Sequence, residues 1–205
     1  MIQKILPNSE AKIKILEAIF RNPGINFSAL VKESGTSPNI VINYINELVK
    51  NGVLKEKRLG GKKKTHIRLL YPNFSGMGLD VFSLVEIDKK NNFLKKYKKL
   101  NPIVTQIEDL ISSSGIKFCL VYGSFARFSA EKESDIDMWL VGKIDAKAKS
   151  GLREIFSTLD REYNLTIESE KDFIKKIGDP IHQNIIKDHV MLYGERYFLK
   201  SIFQA

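Results

Sequence analysis

Two short groups of residues in the second half of the chain have the chemistry of a phosphate and metal site. Gly123-Ser124 follows an apolar run, and Asp135-Ile136-Asp137 opens the next apolar run. Carboxylates at positions i and i+2 of a strand point to the same face, and paired carboxylates hold divalent cations that also bind substrate phosphates. A Gly-Ser turn after a strand can present backbone N–H groups to a phosphate. The sequence therefore predicts a nucleotide-phosphate and metal site.

Over these residues the chain resembles the nucleotidyltransferase superfamily that includes DNA polymerase β and the minimal nucleotidyltransferases. The shared pattern is an apolar strand, Gly-Ser, a spacer of about this length, and Asp-apolar-Asp in the next strand. Ala126-Arg127 also fits this pattern, whereas Phe128 stands where the family often has glycine.

This resemblance implies nucleotidyl transfer from an NTP with Mg²⁺, in which two metal ions bridge the triphosphate and activate an acceptor hydroxyl. Asp135 and Asp137 would be the metal ligands and catalytic carboxylates. Gly123 and Ser124 would bind the nucleotide. Arg127 would either neutralise a phosphate of the nucleotide or have a surface or structural role.

The superfamily needs a third carboxylate on a neighbouring strand, where it often acts as the base for the acceptor. In this chain the strand spans residues 164–169, and alignment on the downstream Lys171-Asp172-Phe173 puts Thr166 at that place. Threonine is neither a strong metal ligand nor a useful base at neutral pH. Glu168 lies on the same face one pleat further along, where it either substitutes as the third catalytic carboxylate or is a solvated strand end. The sequence thus predicts the fold and the nucleotide site but leaves turnover open.

Basic residues are concentrated in the first third of the chain. The 205-residue protein has a net charge of +9, of which residues 1–75 contribute +8 and residues 76–205 contribute +1. This asymmetry indicates that the N-terminal part contacts a polyanion, although the solvated surface of a lysine-rich protein would give a similar excess.

Apolar spacing in the first third predicts three helices and a basic hairpin. The helices are expected at about 9–21, at about 27–33, and from Pro38 to about residue 50 with Ser37 as its N-cap. A strand at 53–59, a turn and a strand at 65–71 follow. This order resembles the winged helix-turn-helix domains of small prokaryotic transcriptional regulators, whose third helix enters the major groove.

The winged-helix resemblance assigns DNA contacts to the third helix and to the hairpin turn. Asn side chains can bond adenine bidentately, and lysines on a turn supply salt-dependent contacts to the DNA backbone or minor groove. The helix residues are Asn39, Asn43, Asn46 and Lys50, and the turn residues are Lys62, Lys63 and Lys64. An Asn-rich face can also be merely solvated, and winged helices also serve as protein-interaction or dimerisation modules, so a homodimer is a further expectation.

The single cysteine, Cys119, excludes a disulfide framework and favours a reducing compartment. The N-terminus has no secretion-signal pattern, and no stretch approaches the roughly 18 apolar residues of a membrane span. We therefore expect a cytoplasmic protein that does not contact a membrane.

Residues 76–101 read as a linker with a basic connector helix, and residues 102–205 alternate helices with strands. The fold class predicted is α+β with two domains. Residues 1–75 form the winged helix-turn-helix, and residues 102–205 form a nucleotidyltransferase-like mixed sheet with flanking helices.

Two functions fit these predictions. The first is a DNA-binding transcriptional regulator whose nucleotidyltransferase-like domain binds NTP and Mg²⁺. The alternative is an active, antitoxin-like nucleotidyltransferase that moves a nucleoside monophosphate from an NTP to a hydroxyl of a protein, an RNA or a small molecule.

Overall fold

The structure is a computed structural model that describes residues 2–60, 67–159 and 161–203. Met1–Val85 forms one compact unit and Glu86–Ala205 forms another. The first is mainly helical with a small sheet, and the second is a sheet flanked by helices, so the predicted α+β class is confirmed. The predicted domain boundaries at 75 and 102 stay predictions.

The first unit has the predicted order of helices and strands. Its helices are α1 (Glu10–Arg21), α2 (Phe27–Ser34) and α3 (Pro38–Lys50). Its strands are β1 (Ile25–Asn26), β2 (Leu54–Leu59) and β3 (Ile67–Pro72), which form an antiparallel sheet in the order β1-β3-β2. The two-residue strand β1 had no signal in the sequence because it is too short to show a periodicity.

Short polar side chains fix where α1 and α2 begin. Ser9 Oγ accepts a hydrogen bond from the backbone N–H of Lys12, and Asn26 Oδ1 accepts one from that of Ala29. Each bond satisfies a donor that the first helical turn leaves without a partner. Ser37 stands at the N-cap position of α3 as predicted, but its side chain makes no capping bond.

A single helix, α4 (Gly76–Lys96), occupies most of the predicted connector. Its 21 residues include a stretch that the sequence left open between strand and short helix. The helix begins close against the preceding chain, because a Cβ on Gly78 would lie 1.8 Å from the carbonyl oxygen of Asn73. Glycine is therefore the residue type that this approach permits.

The second unit is built on a mixed sheet. Its strands are β4 (Gly115–Tyr122), β5 (Ile136–Lys143), β6 (Tyr163–Glu168) and β7 (Val190–Tyr193), in the order β6-β5-β4-β7. The β5–β6 pair is parallel and the other two pairs are antiparallel. The helices are α5 (Asn101–Ser112), α6 (Gly123–Ala126), α7 (Ala146–Ser157), α8 (Glu170–Lys176), α9 (Pro180–Lys187) and α10 (Glu195–Phe203).

Helices cover both faces of this sheet, which explains the nearly continuous apolar runs of its central strands. On one face, Val121 and Leu140 pack with the buried residues of α5 and α7. On the other face, the rings of Phe118 and Trp139 contact Phe173 of α8 at centroid distances of 5.0 and 5.5 Å. The sheet therefore forms a rigid support for the residues at the junction of β4 and β5.

Among the described residues, no helix combines the length and apolar character needed to cross a bilayer.

Candidate functional site

The Gly-Ser turn and the Asp-Ile-Asp group meet where β4 ends and β5 begins. Helix α6 starts directly after Tyr122, the last residue of β4, and Tyr122 is the cross-strand partner of Asp137. Partners in an antiparallel pair lie side by side, so the sheet brings the turn next to the carboxylate. The structure thus unites two groups that are separated in the sequence.

Gly123 makes this close approach feasible. Its φ is +71°, in the left-handed region, and a Cβ added there would lie 2.4 Å from Oδ2 of Asp137. Any other residue would meet both backbone strain and a steric clash with the carboxylate. The carboxylate therefore lies directly over the backbone of the turn predicted to hold phosphate.

The second carboxylate oxygen of Asp137 has a partner on β6. Asn164 Nδ2 donates to Asp137 Oδ1 at 3.1 Å, and the two residues are also register partners in the parallel β5–β6 pair. Asp135 precedes the first residue of β5, and both aspartates are half-buried. The i, i+2 spacing predicts that the two carboxylates share one face.

Arg161, which the sequence analysis did not single out, fastens the loop that leads into Asp135. Its Nη1 donates to the carbonyl oxygens of Glu131 and Ser134, at 3.1 and 3.2 Å. Its guanidinium also lies 5.4 Å from the ring centroid of Phe125 in α6, within the range of a cation–π contact. A lone arginine in a loop carries no sequence signal, because its acceptors are backbone carbonyls some thirty residues away in the chain.

Phe128, at the position where the resemblance predicts glycine, has a φ of +57°. This left-handed residue closes α6: its N–H donates to Phe125 O, and the next N–H, of Ser129, donates to Ser124 O. The conformation costs a non-glycine residue about 1–2 kcal/mol. The Phe128 ring offsets that cost by stacking at 6.3 Å on Tyr97, while Lys96 donates to its carbonyl oxygen. Arg127, the preceding residue, caps α6 and is exposed.

The structure does not bring Glu168 to the aspartate pair. In the β5–β6 register Asn164 lies opposite Asp137, Thr166 opposite Trp139, and Glu168 opposite Val141. Glu168 is four residues further along β6 than Asn164, which corresponds to about 13 Å along the strand.

Glu168 has partners of its own in α8 and α9. Its Oε1 accepts from Lys176 Nζ at 2.8 Å, and its Oε2 lies 3.1 Å from His182 Nε2. The hydrogen bond to Glu168 raises the pKa of Lys176 above its ordinary value. These contacts give Glu168 a structural role, since they join the end of β6 to both helices.

The predicted DNA-reading residues lie on one exposed face of α3. Asn39, Asn43 and Lys50 are exposed, as is Asn46, whose Oδ1 accepts from Arg68 Nη1 at 3.1 Å. The opposite face is buried and consists of Val41, Tyr44, Ile45 and Leu48. Lys62, Lys63 and Lys64 lie outside the described residues.

Comparisons with known proteins support both the N-terminal helix-turn-helix and the C-terminal nucleotidyltransferase-like sheet. A winged helix-turn-helix DNA-binding family matches residues 9–55, and the polymerase β nucleotidyltransferase family matches residues 105–197. A candidate protein adenylyltransferase of Methanocaldococcus jannaschii is 34% identical over 79 residues, which are 38% of this chain and 79% of that protein. The chain belongs to the polymerase β nucleotidyltransferase family. Both resemblances found in the sequence are confirmed.

A crystal structure of a toxin–antitoxin with AMP-PNP is similar to part of this nucleotidyltransferase chain. It shares 19% identity at a TM-score of 0.36, over 49% of this chain and 85% of that one.

The metal-ligating side chains of the nucleotidyltransferase domain suit a metal ion that is bound together with the nucleotide. Among residues 2–60, 67–159 and 161–203, no group of three His, Cys, Asp or Glu side chains could hold a metal ion. Mg²⁺ is commonly bound by one or two carboxylates together with substrate phosphates and water. Asp135 and Asp137 fit that donor set, and Asp137 lies over the turn whose backbone N–H groups are predicted to hold the phosphates.

We expect Gly123→Ala to damage the nucleotidyltransferase site and to destabilise the protein. The added Cβ must displace the Asp137 carboxylate, and the left-handed backbone adds strain of about 1–3 kcal/mol. Urea unfolding of the purified variant measures the loss of stability. Gly178→Ala is the matched control, because a Cβ there meets nothing within 4 Å and its backbone is not left-handed. Equal stability of the two variants would contradict the proposed constraint.

Proposed function

We propose that the protein is a DNA-binding transcriptional regulator whose nucleotidyltransferase domain binds Mg²⁺-NTP as a ligand and does not turn it over. The observation that carries this proposal is the hydrogen bond from Asn164 to Asp137. It places a neutral amide on the neighbouring strand, at the level of the aspartate pair.

Binding and turnover make different demands on this site. Two carboxylates and the Gly123 turn are sufficient to hold a metal-bound triphosphate. Transfer also needs a group that accepts the proton of the attacking hydroxyl, and such a base works best with a pKa near the operating pH. The amide of Asn164 cannot accept a proton at neutral pH. Glu168, at about 13 Å along the strand, is held by Lys176 and His182.

The alternative is an active nucleotidyltransferase, which the name of the M. jannaschii relative favours. In that reaction an acceptor hydroxyl of a protein would attack the α-phosphorus of the NTP, a new P–O bond would form, and pyrophosphate would leave. When bound, Mg²⁺ would neutralise the charge that develops on the phosphate oxygens. Asp135 and Asp137 would hold the metal in both functions, so nucleotide binding alone does not separate them.

The double variant Asp135→Ala, Asp137→Ala should abolish Mg²⁺-dependent binding of ATP or GTP, because it removes both proposed metal ligands. Isothermal titration calorimetry with and without Mg²⁺ measures this effect. The control variant Asp109→Ala, Glu154→Ala removes two exposed carboxylates from α5 and α7 of the same domain and should bind normally. Unchanged binding by the first variant would refute the site assignment.

Glu168→Gln should weaken folding without changing nucleotide affinity. The substitution removes the negative charge that pairs with Lys176 and lies beside His182, and with it part of the contact between β6, α8 and α9. Chemical unfolding and calorimetry give the two readouts.

The same samples can be assayed for pyrophosphate release with Mg²⁺-ATP and candidate acceptors. Pyrophosphate release by the wild type that disappears in a folded Glu168→Gln protein would establish Glu168 as catalytic and favour the enzyme.

Changing Lys62, Lys63 and Lys64 together to Ala should weaken DNA binding and flatten its salt dependence. The log–log slope should fall by about 1 for each lysine that neutralises a phosphate in the wild type. Gel shifts at several salt concentrations provide the measurement. A matched triple variant of exposed lysines from the second unit, Lys95, Lys98 and Lys99 to Ala, should keep the wild-type slope. If both triple variants bind like the wild type, the wing assignment is wrong.

A further inference from the structure

One side of helix α4 is apolar although it is exposed. Met77, Leu84 and Ile87 are 39%, 41% and 43% exposed, and their spacing of seven and three residues puts them on the same side of the helix. The opposite side, which includes Phe82 and Phe93, is buried. Single exposed apolar side chains are common on protein surfaces, whereas an aligned set marks a place where another molecule binds.

The residues along this exposed side follow the heptad repeat of a coiled coil. Counting in steps of three and four gives the a positions Met77, Leu84 and Asn91 and the d positions Asp80, Ile87 and Leu94. All six are exposed except Leu94, which is half-buried and packs partly on the core of the mixed sheet. We call these six residues the α4 seam. At 1.5 Å per residue the seam is about 26 Å long.

The α4 seam is complementary to itself when two copies of α4 run antiparallel about a two-fold axis between residues 84 and 87. Each a position of one copy then meets a d position of the other. Leu84 meets Ile87 of the second copy, Asp80 meets its Asn91, and Met77 meets its Leu94. Every layer thus pairs two apolar side chains or a carboxylate with an amide.

The polar layer favours the antiparallel direction. An Asn amide donates hydrogen bonds, and the two oxygens of a carboxylate accept several, so Asp80 can bond Asn91 of a second copy in addition to partners within its own chain. In a parallel pair Asp80 would face Asp80 of the other copy, and like charges at one level repel each other. The order of residues along α4 therefore selects both the partner and its direction.

We propose that the α4 seam is a dimerisation surface, on which a second copy of this chain packs its own α4 in the antiparallel direction. The seam contains none of the residues assigned to nucleotide or DNA, so the dimer forms without either ligand. A contact of this length belongs to the small class of interfaces, and the dimer should therefore dissociate on dilution.

Leu84→Lys should abolish dimerisation, because it puts a charge into the central layer opposite Ile87 of the second copy. Sedimentation velocity of the full-length protein over a wide concentration range gives the measurement. The wild type should approach twice the monomer mass as concentration rises, whereas the variant should stay monomeric. Ile181→Lys is the matched control, since it changes a 73% exposed isoleucine of α9 outside the seam and should dimerise normally.

Asn91→Lys distinguishes the two directions. In the antiparallel pair the new ammonium group faces Asp80 of the second copy, twice per dimer by symmetry, so the dimer should become several-fold tighter at low salt. In a parallel pair two ammonium groups would face each other and weaken the dimer. Adding Asp80→Asn to this variant should remove the gain, which sedimentation equilibrium measures as a rise in the dissociation constant.

Cysteine cross-linking tests the register directly. An oxidised mixture of the Asp80→Cys and Asn91→Cys variants should form a disulfide-linked dimer, and neither variant should do so alone. Identical residues of the two copies would be about 16 Å apart along the antiparallel pair, beyond the reach of a disulfide. The native Cys119 is buried and is therefore protected from the reaction.

Three results would overturn the proposal: a wild type that is monomeric at every concentration, a Leu84→Lys variant that dimerises like the wild type, or cross-linking of either cysteine variant alone. If Leu84→Lys does not fold, as judged by circular dichroism, the equally exposed Ile87→Lys takes its place. None of these samples contains DNA or nucleotide, so their outcome is independent of the proposed function.

Discussion

The nucleotidyltransferase site depends on the contact between the Asp137 carboxylate and the backbone of Gly123. Antiparallel pairing of β4 with β5 puts the two residues side by side, and the absence of a glycine side chain lets Oδ2 lie over the turn. Helix α6, the loop held by Arg161 and the left-handed Phe128 lie next to this turn in the structure or the chain. The Asp137 carboxylate is therefore positioned by the fold itself, through Gly123 on one side and Asn164 on the other.

Strand pairing also determines which residue of β6 lies beside Asp137. A parallel partner strand offers Asp137 one neighbour at its own level, and in this chain that neighbour is Asn164. An amide can orient a carboxylate but cannot serve as a base, which is why the proposed function is binding without turnover. Glu168 supports the far end of the strand through Lys176 and His182. The position of a carboxylate along a strand therefore determines whether it takes part in chemistry or in packing.

Charge has a comparable organising role in the winged helix-turn-helix. Two arginines on neighbouring strands, Arg58 of β2 and Arg68 of β3, would repel each other, and the nearly buried Glu56 joins them into one network. That network extends to Asn46 and gives its amide a fixed direction. These hydrogen bonds thus connect the hairpin to the exposed face of α3.

Local pattern in the sequence determined most of the elements, the α+β class and the candidate aspartates, because periodicity, caps and the i, i+2 spacing act over a few residues. It left α4 unresolved, since its apolar residues surround the helix and give little periodic signal. Alignment with the family pattern put Thr166 at the place of the third carboxylate, whereas the strand register puts Asn164 beside Asp137. Only the tertiary structure revealed that Asn46 faces Arg68 and that Glu168 faces Lys176 and His182. Strand register and side-chain direction arise from packing between distant segments, and no local pattern encodes them.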